Sequence, residues 1–485
     1  MRVALLHAPY AETYGPLKSA SGRYFPLGLG YIGAVLKKAG HSVLFLDPET
    51  QNLPPEAVAR ALREFAPQLA GISCATPSFP GARRLAALVR EAVPGCPTIV
   101  GGVHASAFPR QVLEEAPEFD MACTGEGEYL MLELVNALSL APTNHLPLTT
   151  LNSITGLTWR DGSTIIQNPP REWLANLDSI PFPAREMADP DLYKPHSHNR
   201  RGKRATTIIS SRGCPFECVF CASHVALGRQ FRAHSPKYVV DEIEFLNKKM
   251  GVDQLIFNDD TFTLDTKRVR GICEEILRRG LKVSWFCFAR ANTVNPEILD
   301  LMKKAGCFSI GFGVETGDAG ILKAINKKET LEDLRRGIGW ANEAGFKTQC
   351  FFVFGSPGET AETVEKTIKF AIELKPTLAF FNMMVPYPGT EMFEKHYGSG
   401  PGKSGYRWED WVAVGPRATI NIPGIPSLEK AVAEANRRFY FRPSQVWRYI
   451  RHAGSVLEIL QAVRGAMALG FQIVFWKITG KAHQD

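Results

Sequence analysis

The amino-acid sequence predicts an α/β protein with a doubly wound parallel sheet, then an open partial barrel, and a helical region at the C-terminus. Short apolar, β-rich runs alternate with helical hydrophobic patterns in two successive series, which is typical of parallel strands joined by crossover helices. The 485 residues leave room for about two to four domains. Hydrophobic residues at 45% and charged residues at 22% are typical of folded globular chains.

Residues 1–140 form the first predicted domain. Five strand-like runs alternate there with helical patterns: RVALLHA, HSVLFLD, LAGISCA, PTIVGGVHA and FDMACTGEGE. This order predicts a doubly wound sheet, in which ligands bind at the carboxyl ends of the strands. Glycines that would let a bulky ligand approach the backbone lie at those ends, namely Gly101, Gly102, Gly125 and Gly127. Each of them, taken singly, is equally typical of an ordinary turn.

A connecting segment and a second series of strands follow. Residues 141–200 predict a hairpin around Asp161 and Gly162 and then a proline-rich linker. Residues 201–398 contain six strand-like runs separated by helical patterns: ATTIIS, QLIFND, VSWFCFA, FSIGFGVE, TQCFFVFG and LAFFNMMV. Six such units predict a partial (β/α)6 barrel with its chemistry at the carboxyl ends of the strands. Residues 399–485 are predicted to be a mainly helical extension.

The protein is expected to be cytoplasmic. The N-terminus enters a strand-like run after one basic residue and shows no signal-peptide pattern. Ten cysteines in so long a chain are too sparse for a disulfide scaffold, so a reducing compartment would keep them as thiols available to a metal. A net charge of +7 is too small to indicate nucleic-acid binding, and no nucleic-acid partner is expected.

Three cysteines carry the sharpest motif, Cys214-Pro-Phe-Glu-Cys218-Val-Phe-Cys221, directly after the first barrel strand and Gly213. Three thiolates in a short loop suit a 4Fe–4S cluster in which the fourth iron stays open to a substrate or cofactor. A zinc site is the competing interpretation, with His224 as the nearby fourth ligand. Unliganded buried cysteines are the third.

This CxxxCxxC motif after the first strand of a partial barrel resembles the radical S-adenosylmethionine (radical SAM) superfamily. Further barrel positions match that family in order: Asn258–Phe262, Arg290, Gly311–Glu315, Gly355–Thr360 and Pro386–Thr390. The upstream domain is similar to the Rossmann-like cobalamin-binding domain of one large subgroup. The stretches that carry this second likeness are PLGLGYIGAVLKKAGH, VGGVHAS and TGEGE, and the resemblance covers nearly all of residues 1–395.

The resemblance implies three cofactors: a 4Fe–4S cluster on Cys214, Cys218 and Cys221, S-adenosylmethionine, and cobalamin at the four glycines named above. In that family the open iron chelates S-adenosylmethionine, and the reduced cluster cleaves it to a 5′-deoxyadenosyl radical. Carboxylates at strand ends suit the ammonium and the ribose, an arginine suits the carboxylate, and an aromatic ring suits the adenine. The predicted S-adenosylmethionine ligands are therefore Asp260 and Glu315, Arg290, and Phe220. Each of them singly is also typical of a structural ion pair or a packed aromatic.

The first loop departs from one common pattern. Many cobalamin domains carry DxHxxG after the first strand, with a histidine that replaces the lower base on cobalt, whereas this loop reads HAPYAETYG. His7 lies on the strand itself and is predicted to be a satisfied core histidine. The sequence therefore predicts base-off cobalamin without a protein histidine ligand.

The C-terminal region contains a basic, aromatic segment. Residues 437–451 read RRFYFRPSQVWRYIR, with five arginines and no acid, and residues 465–476 form an uncharged apolar run. Such a composition suits peripheral association with the inner face of an anionic membrane. A helical cap packed on the barrel and an RNA-binding segment are the alternatives.

The predicted function is that of a cobalamin-dependent radical SAM enzyme, a C-methyltransferase acting on an unactivated carbon of a hydrophobic substrate such as a lipid, tetrapyrrole or natural product. The resemblance implies an electron donor such as flavodoxin or ferredoxin. One alternative is a radical SAM cyclase, ring-contracting or oxidative enzyme without methyl transfer. Another is a cobalamin-binding sensor or carrier with a structural cluster. The sequence names no substrate, because the fold and cofactors serve many products.

Overall fold

The computed structural model describes residues 1–10, 22–140, 148–398, 406–413, 420, 425 and 427–452. These residues form a seven-stranded sheet, a six-stranded sheet and a two-stranded ribbon, with helices around them. The apolar run at residues 465–476 and the loop at residues 11–21 lie outside the described residues.

The N-terminal sheet has the strand order β2-β1-β3-β4-β5-β6-β7, and its first five strands are parallel. The chain crosses from one side of β1 to the other between β2 and β3, and such a switch point opens a crevice at the carboxyl ends of the strands. The strand bounds are β1 (Arg2–His7), β2 (Ser42–Leu46), β3 (Leu69–Ser73), β4 (Thr98–Gly101), β5 (Met121–Cys123), β6 (Leu157–Asp161) and β7 (Thr164–Gln167).

Helices cover both faces of this sheet, as the buried strand β1 requires. Val3 and Leu5 pack with α1 and α6 on one face, whereas Ala4 and Leu6 pack with α2 and α3 on the other. The predicted doubly wound sheet is therefore confirmed. Its helices are α1 (Leu27–Lys38), α2 (Pro55–Phe65), α3 (Phe79–Ala92), α4 (Val103–Ala107), α5 (Pro109–Glu115), α6 (Gly127–Leu140) and α7 (Leu148–Ser153).

The predicted hairpin around Asp161 and Gly162 is present as β6 and β7, but it extends the N-terminal sheet instead of standing in a linker. Strand β6 pairs antiparallel with β5, so that Met121 lies opposite Trp159. Trp159 is buried in the core of this sheet, and that burial holds the hairpin in place.

The second sheet is the predicted partial barrel. Its six parallel strands follow one another in chain order, β8-β11-β12-β13-β14-β15, and β9 pairs with β10 in a separate ribbon. The bounds are β8 (Ala205–Ile208), β9 (Ser211–Arg212), β10 (Arg232–Ala233), β11 (Gln254–Phe257), β12 (Ser284–Ala289), β13 (Cys307–Glu315), β14 (Lys347–Phe354) and β15 (Leu378–Met383).

The helices around the barrel begin where the sequence supplies capping residues. The side chains of Ser235, Asp265, Asn295, Thr330 and Thr360 each accept a hydrogen bond from an amide in the first turn of the helix that follows. The helices are α8 (Ser223–Leu227), α9 (Pro236–Met250), α10 (Thr266–Arg278), α11 (Pro296–Lys304), α12 (Ala319–Ala324), α13 (Leu331–Glu343), α14 (Ala361–Leu374) and α15 (Glu391–Tyr397).

The described part of the C-terminal extension is helical, as predicted, and consists mainly of α16 (Leu428–Tyr440) and α17 (Pro443–His452). Phe439 is fully buried against the barrel, and the Tyr440 hydroxyl donates a hydrogen bond of 2.8 Å to the carbonyl of Ala379 in β15. Among the described residues, no helix combines the length and the apolar character needed to cross a membrane.

Candidate functional site

The three motif cysteines lie on one irregular loop between β9 and α8, which we call the cluster loop (residues 213–222). Two backbone hydrogen bonds hold its centre: the Val219 amide donates to the Ile325 carbonyl at 3.1 Å, and the Met392 amide donates to the Val219 carbonyl at 3.0 Å. The three cysteines are partly exposed, whereas the other seven cysteines of the chain are buried. The motif thiols are therefore the ones that a bound group can reach.

Burial disfavours the thiolate form of Cys214 and Cys221. Burial raises the pKa of Cys221 to about 11 and also raises the pKa of Cys214. A bound cation reverses this, because it stabilises the thiolate directly. His224, the zinc-ligand alternative, has its Nδ1 atom 2.9 Å from the carbonyl oxygen of Cys221 and is thus used within the loop. Among the described residues, no three His, Cys, Asp or Glu side chains surround a position for a single ion.

A buried carboxylate supports the strand that leads into the cluster loop. Asp259 accepts hydrogen bonds from the Ser210 amide at 2.7 Å and from the hydroxyls of Ser210 and Ser211 at 2.6 Å each. The next residue, Asp260, lies three residues after β11 and its side chain is exposed, although desolvation of its carboxyl group and the neighbouring charge of Asp259 raise the pKa of that group. The NDDTF motif thus contains one structural carboxylate and one accessible carboxylate, and only the second suits a ligand.

The predicted ligands Arg290 and Glu315 lie in one buried group of charges. The Lys327 ammonium is 2.8 Å from Glu315 and 3.7 Å from Glu329, and Arg290 is 3.2 Å from Glu329. The Arg290 guanidinium also lies 3.7 Å from the ring centre of Phe216 in the cluster loop. Both predicted ligands therefore lie beside the cluster loop, already engaged with protein partners.

Phe220 is half-buried and packs against a small apolar cluster of Val219, Ile321 and Ile325. It therefore joins the cluster loop to the helix α12 that follows β13. Its predicted contact with adenine stays a prediction, as do the S-adenosylmethionine contacts of Asp260, Arg290 and Glu315.

A cavity of about 210 Å³ lies at the carboxyl ends of the N-terminal strands; we call it the cofactor cleft. All four predicted glycines line it, Gly101, Gly102, Gly125 and Gly127. Gly102 adopts a φ of 101°, and a Cβ atom there would lie 2.2 Å from the carbonyl oxygen of Cys74. Only glycine fits at that position, so the turn after β4 keeps its backbone close to the cleft.

The cleft is lined from both domains. Leu5, Gly71 and Ile99 come from the N-terminal strands, whereas Ile209, Arg212, Ala226 and Leu227 come from the segments that flank the cluster loop. Arg212 stands two residues before Cys214. The cleft and the cluster loop are therefore neighbouring parts of one site at the junction of the two sheets.

The comparison with known families decides the assignment. The chain matches the radical SAM superfamily over residues 208–371 and the B12 binding domain over residues 16–135. It is also 31% identical over 473 residues to an uncharacterized methyltransferase of Pyrococcus horikoshii, with 97% of this chain and 99% of that protein covered. The chain belongs to the radical SAM superfamily.

This radical SAM protein also resembles a curated cyclase in sequence and a solved methyltransferase in structure. It is 33% identical to the anaerobic magnesium-protoporphyrin IX monomethyl ester cyclase of Cereibacter sphaeroides over 81% of this chain, and that match spans 63% of the cyclase. The solved structure of the radical S-adenosylmethionine methyltransferase TsrM from Kitasatospora setae, with cobalamin and a 4Fe–4S cluster bound, has a TM-score of 0.69 at 20% identity and covers 91% of each chain. The structural likeness concerns the fold.

The cofactors of this radical SAM protein are a 4Fe–4S cluster, S-adenosylmethionine and cobalamin. The residues fit these groups. Three accessible thiols in one loop suit the cluster, and an apolar cleft lined by glycines lets the face of a cofactor ring approach the backbone closely.

His7 differs from its prediction. It lies at the end of β1 and is partly exposed instead of belonging to the core, with its Nδ1 atom 3.6 Å from Asp47. Asp47 is itself buried and accepts a hydrogen bond of 3.1 Å from the Tyr193 hydroxyl. The end of a strand faces solvent more than its middle does, which explains the exposure. The prediction that no histidine replaces the lower base of cobalamin stays a prediction.

Sequence reasoning missed several residues of the site: Gly71, Asp259, Lys327, Glu329 and Arg212. Asp259 lies inside a motif and Arg212 lies two residues before another, but the sequence does not show in which direction either side chain points. Lys327 and Glu329 lie in a loop after α12, outside any motif, and only their contacts with Glu315 and Arg290 bring them into the site.

Proposed function

We propose that this radical SAM protein is a cobalamin-dependent C-methyltransferase that acts on an unactivated carbon of a hydrophobic substrate, such as a lipid, tetrapyrrole or natural product. The observation that carries the proposal is the cofactor cleft, which is lined from both domains and adjoins the cluster loop through Arg212. When bound, the cluster and S-adenosylmethionine supply a carbon radical and cobalamin supplies a methyl group. A methyl donor and a radical source are useful together only when they face the same substrate.

The chain's own residues would hold and orient these groups. Cys214, Cys218 and Cys221 bind the cluster, and Asp260 at the open end of β11 accepts hydrogen bonds from the ammonium or the ribose of S-adenosylmethionine. The charges of Arg290 and Glu315 are already fixed by Lys327 and Glu329, so they orient the ligand without rearranging.

The barrel interior supports a hydrophobic substrate. Phe288, Phe351 and Phe380 are half-buried on β12, β14 and β15, whereas their neighbours Phe352 and Phe381 are buried in the core beneath the helices. Since side chains alternate along a strand, the half-buried rings face the inside of the barrel. The rings of Phe351 and Phe380 stack with centroids 5.0 Å apart. This aromatic layer of the interior favours an apolar ligand.

A second candidate is a radical SAM cyclase without methyl transfer, because the chain is 33% identical to one such cyclase. The two functions differ in the fate of S-adenosylmethionine. A methyltransferase forms S-adenosylhomocysteine and 5′-deoxyadenosine, whereas a cyclase of this kind forms only the second. A sensor or carrier forms neither.

The test is anaerobic. The reconstituted protein with hydroxocobalamin, S-adenosylmethionine carrying a deuterated methyl group, and titanium(III) citrate is incubated with an organic-solvent extract of cells lacking the gene. We expect both products, together with a deuterium-labelled apolar compound that is absent when Cys214, Cys218 and Cys221 are all replaced by alanine. Only 5′-deoxyadenosine, without labelled product, would favour the cyclase. Flavodoxin or ferredoxin replaces titanium citrate in a second series, because an electron donor of that kind is part of the proposal.

Peripheral membrane association is the second part of the proposal, and helix α17 supports it. Its barrel-facing side is polar: the side chain of Gln445 is buried and donates a hydrogen bond of 2.8 Å to the carbonyl of Thr377. Its outward side carries exposed apolar side chains, of which Trp447 is 68% exposed, and Phe441, two residues before the helix, is also exposed. The exposed apolar side chains are Phe441, Val446, Trp447 and Ile450.

The charge beside these side chains is smaller than the sequence predicts. Arg437 pairs with Glu434 and Arg438 with Glu365, so their charges are offset. The arginines beside the apolar side chains are then Arg442, Arg448 and Arg451, each worth about 1 kcal/mol on an anionic bilayer. The electrostatic contribution is about 3 kcal/mol, to which insertion of the Trp447 ring adds. Phe439, Tyr440 and Gln445 act as the predicted helical cap, so one segment combines both roles.

A further inference from the structure

Two arginines and two glutamates form a buried group between the domains; we call Arg212, Arg232, Glu126 and Glu128 the ionic bridge. Arg212 is 2.8 Å from Glu126 and 2.7 Å from Glu128, and Arg232 is 2.9 Å from Glu126. All four side chains are less than a tenth exposed. The glutamates belong to the N-terminal domain, and the arginines belong to β9 and β10.

On the barrel side, the ionic bridge is connected to the cluster loop by a short, tightly packed segment. Arg212 and Arg232 are directly opposite each other in the β9–β10 ribbon. Gly213 follows with a φ of 85°, and a Cβ atom there would lie 2.2 Å from the carbonyl oxygen of Gln230. Cys214 comes next. A displacement of Arg212 is therefore passed to the first cluster ligand through one tightly packed residue.

On the other side, the ionic bridge is part of the cofactor cleft. Glu126 and Glu128 alternate with Gly125 and Gly127 where the chain passes from β5 into the first turn of α6, and Arg212 lines the cleft with them. The Arg212 guanidinium also lies 5.0 Å from the ring centre of Tyr31, which lines the cleft from α1. A ligand in the cleft therefore contacts the same segment, residues 125–128, that holds Arg212.

The ionic bridge is electrically balanced, with two cationic and two anionic side chains. Burial opposes the charge of Glu126, but the Arg212 and Arg232 guanidinium groups and the Leu174 amide hold the pKa of that carboxyl below its usual range. Glu126 also accepts a hydrogen bond of 2.9 Å from the Leu174 amide. A buried carboxylate that loses such a partner is strongly disfavoured, so the two domains keep this contact.

We propose that Arg212 is a positioning residue that couples occupancy of the cofactor cleft to the conformation of the cluster loop. Cobalamin fixes the segment of residues 124–128, which joins β5 to α6; this segment fixes Arg212, and Arg212 fixes the cluster loop through Gly213. The inference rests on the cobalamin and cluster sites, and it holds whether the reaction is methyl transfer or cyclisation.

Hydrogen–deuterium exchange of the cluster-reconstituted full-length protein, with and without hydroxocobalamin, tests the coupling. In the native protein, we expect hydroxocobalamin to slow exchange by about tenfold both in residues 124–130 and in residues 213–222. In Arg212→Met, the first segment still responds and the second does not. Arg212→Lys keeps the charge but reaches one carboxylate instead of two, and its cluster loop responds partially.

Arg185→Lys is the matched control. Arg185 is an equally buried arginine, 2.6 Å from Glu242, but it does not line the cleft, so its cluster loop should respond like that of the native protein. If Arg212→Met fails to fold, Arg212→Lys decides the test. An unchanged response of residues 213–222 in both Arg212 variants, or no response in the native protein, overturns the proposal. Absence of a methylated product would reject the proposed methyl transfer and leave this result intact.

Discussion

The buried charges beside the cluster loop allow one substitution to be worked through in detail. In Lys327→Met, Glu315 loses the ammonium group 2.8 Å away, while Glu329 keeps Arg290 at 3.2 Å. Burial opposes the charge of Lys327, yet Glu315 and Glu329 hold its pKa above the usual range, so the native side chain is charged at neutral pH. The variant therefore leaves one buried carboxylate without its cation.

Breaking a buried ion pair on one side costs about 3–5 kcal/mol. For a domain of this barrel's size, that lowers the midpoint of thermal unfolding by roughly 6–20 °C. Glu315→Gln should cost only about 1–2 kcal/mol, because Lys327 retains Glu329 at 3.7 Å. The double variant removes both charges, and we expect it to recover about 2–3 kcal/mol relative to Lys327→Met.

The assay is differential scanning calorimetry of the four proteins without cofactors at pH 7, together with S-adenosylmethionine binding by equilibrium dialysis after cluster reconstitution. Near-native stability of Lys327→Met, or a double variant as unstable as Lys327→Met, would refute the reasoning. Gly313→Ala gives an independent check, since a Cβ atom there would lie 2.5 Å from Glu315 and 2.9 Å from the Lys327 ammonium. It should displace the same pair without removing a charge.

Three further outcomes are expected. Gly102→Ala should destabilise the protein by about 2–4 kcal/mol and weaken hydroxocobalamin binding. Gly101→Ala is the control: its Cβ meets only an ordinary contact at 3.7 Å, so it should destabilise the protein by less than about 1 kcal/mol. Equal melting curves of the two variants would contradict this. Burial raises the pKa of Glu359 to about 7, so between about pH 4.5 and 7 the folded state binds a proton that the unfolded state has lost. The free energy of unfolding should therefore fall by about 3 kcal/mol as pH rises through that window. Urea titrations of Glu359→Gln should lack this pH dependence. Trp447→Glu should abolish co-sedimentation with phosphatidylglycerol vesicles at low salt. Phe245→Glu is the control: this side chain, 44% exposed, lies on α9 and not on α17, and the variant should still bind. Unchanged binding of Trp447→Glu would exclude α17 as the membrane contact.

Much of the site could be predicted because its chemistry is local in sequence. The cysteine spacing alone placed three accessible thiols on one loop, and the glycines after β4 and β5 marked the cofactor cleft. Arg290 and Glu315 were found as ligand candidates from their strand ends, but their partners Lys327 and Glu329 were not, because a buried ion pair is defined by distance in space. The prediction for His7 was wrong in its burial, since strand position alone does not specify exposure.

The sequence by itself determined the order of the elements, the two sheets and the three candidate cluster ligands, because hydrophobic periodicity and short motifs act through neighbouring residues. Only the tertiary structure decided that the hairpin at β6 and β7 completes the first sheet, that α17 exposes Trp447, and that Arg212 joins the cleft to the cluster loop. Each of these depends on contacts between residues far apart in the chain. Edge pairing, the direction of a helix face and a balanced buried charge are set by packing, which the linear pattern does not record.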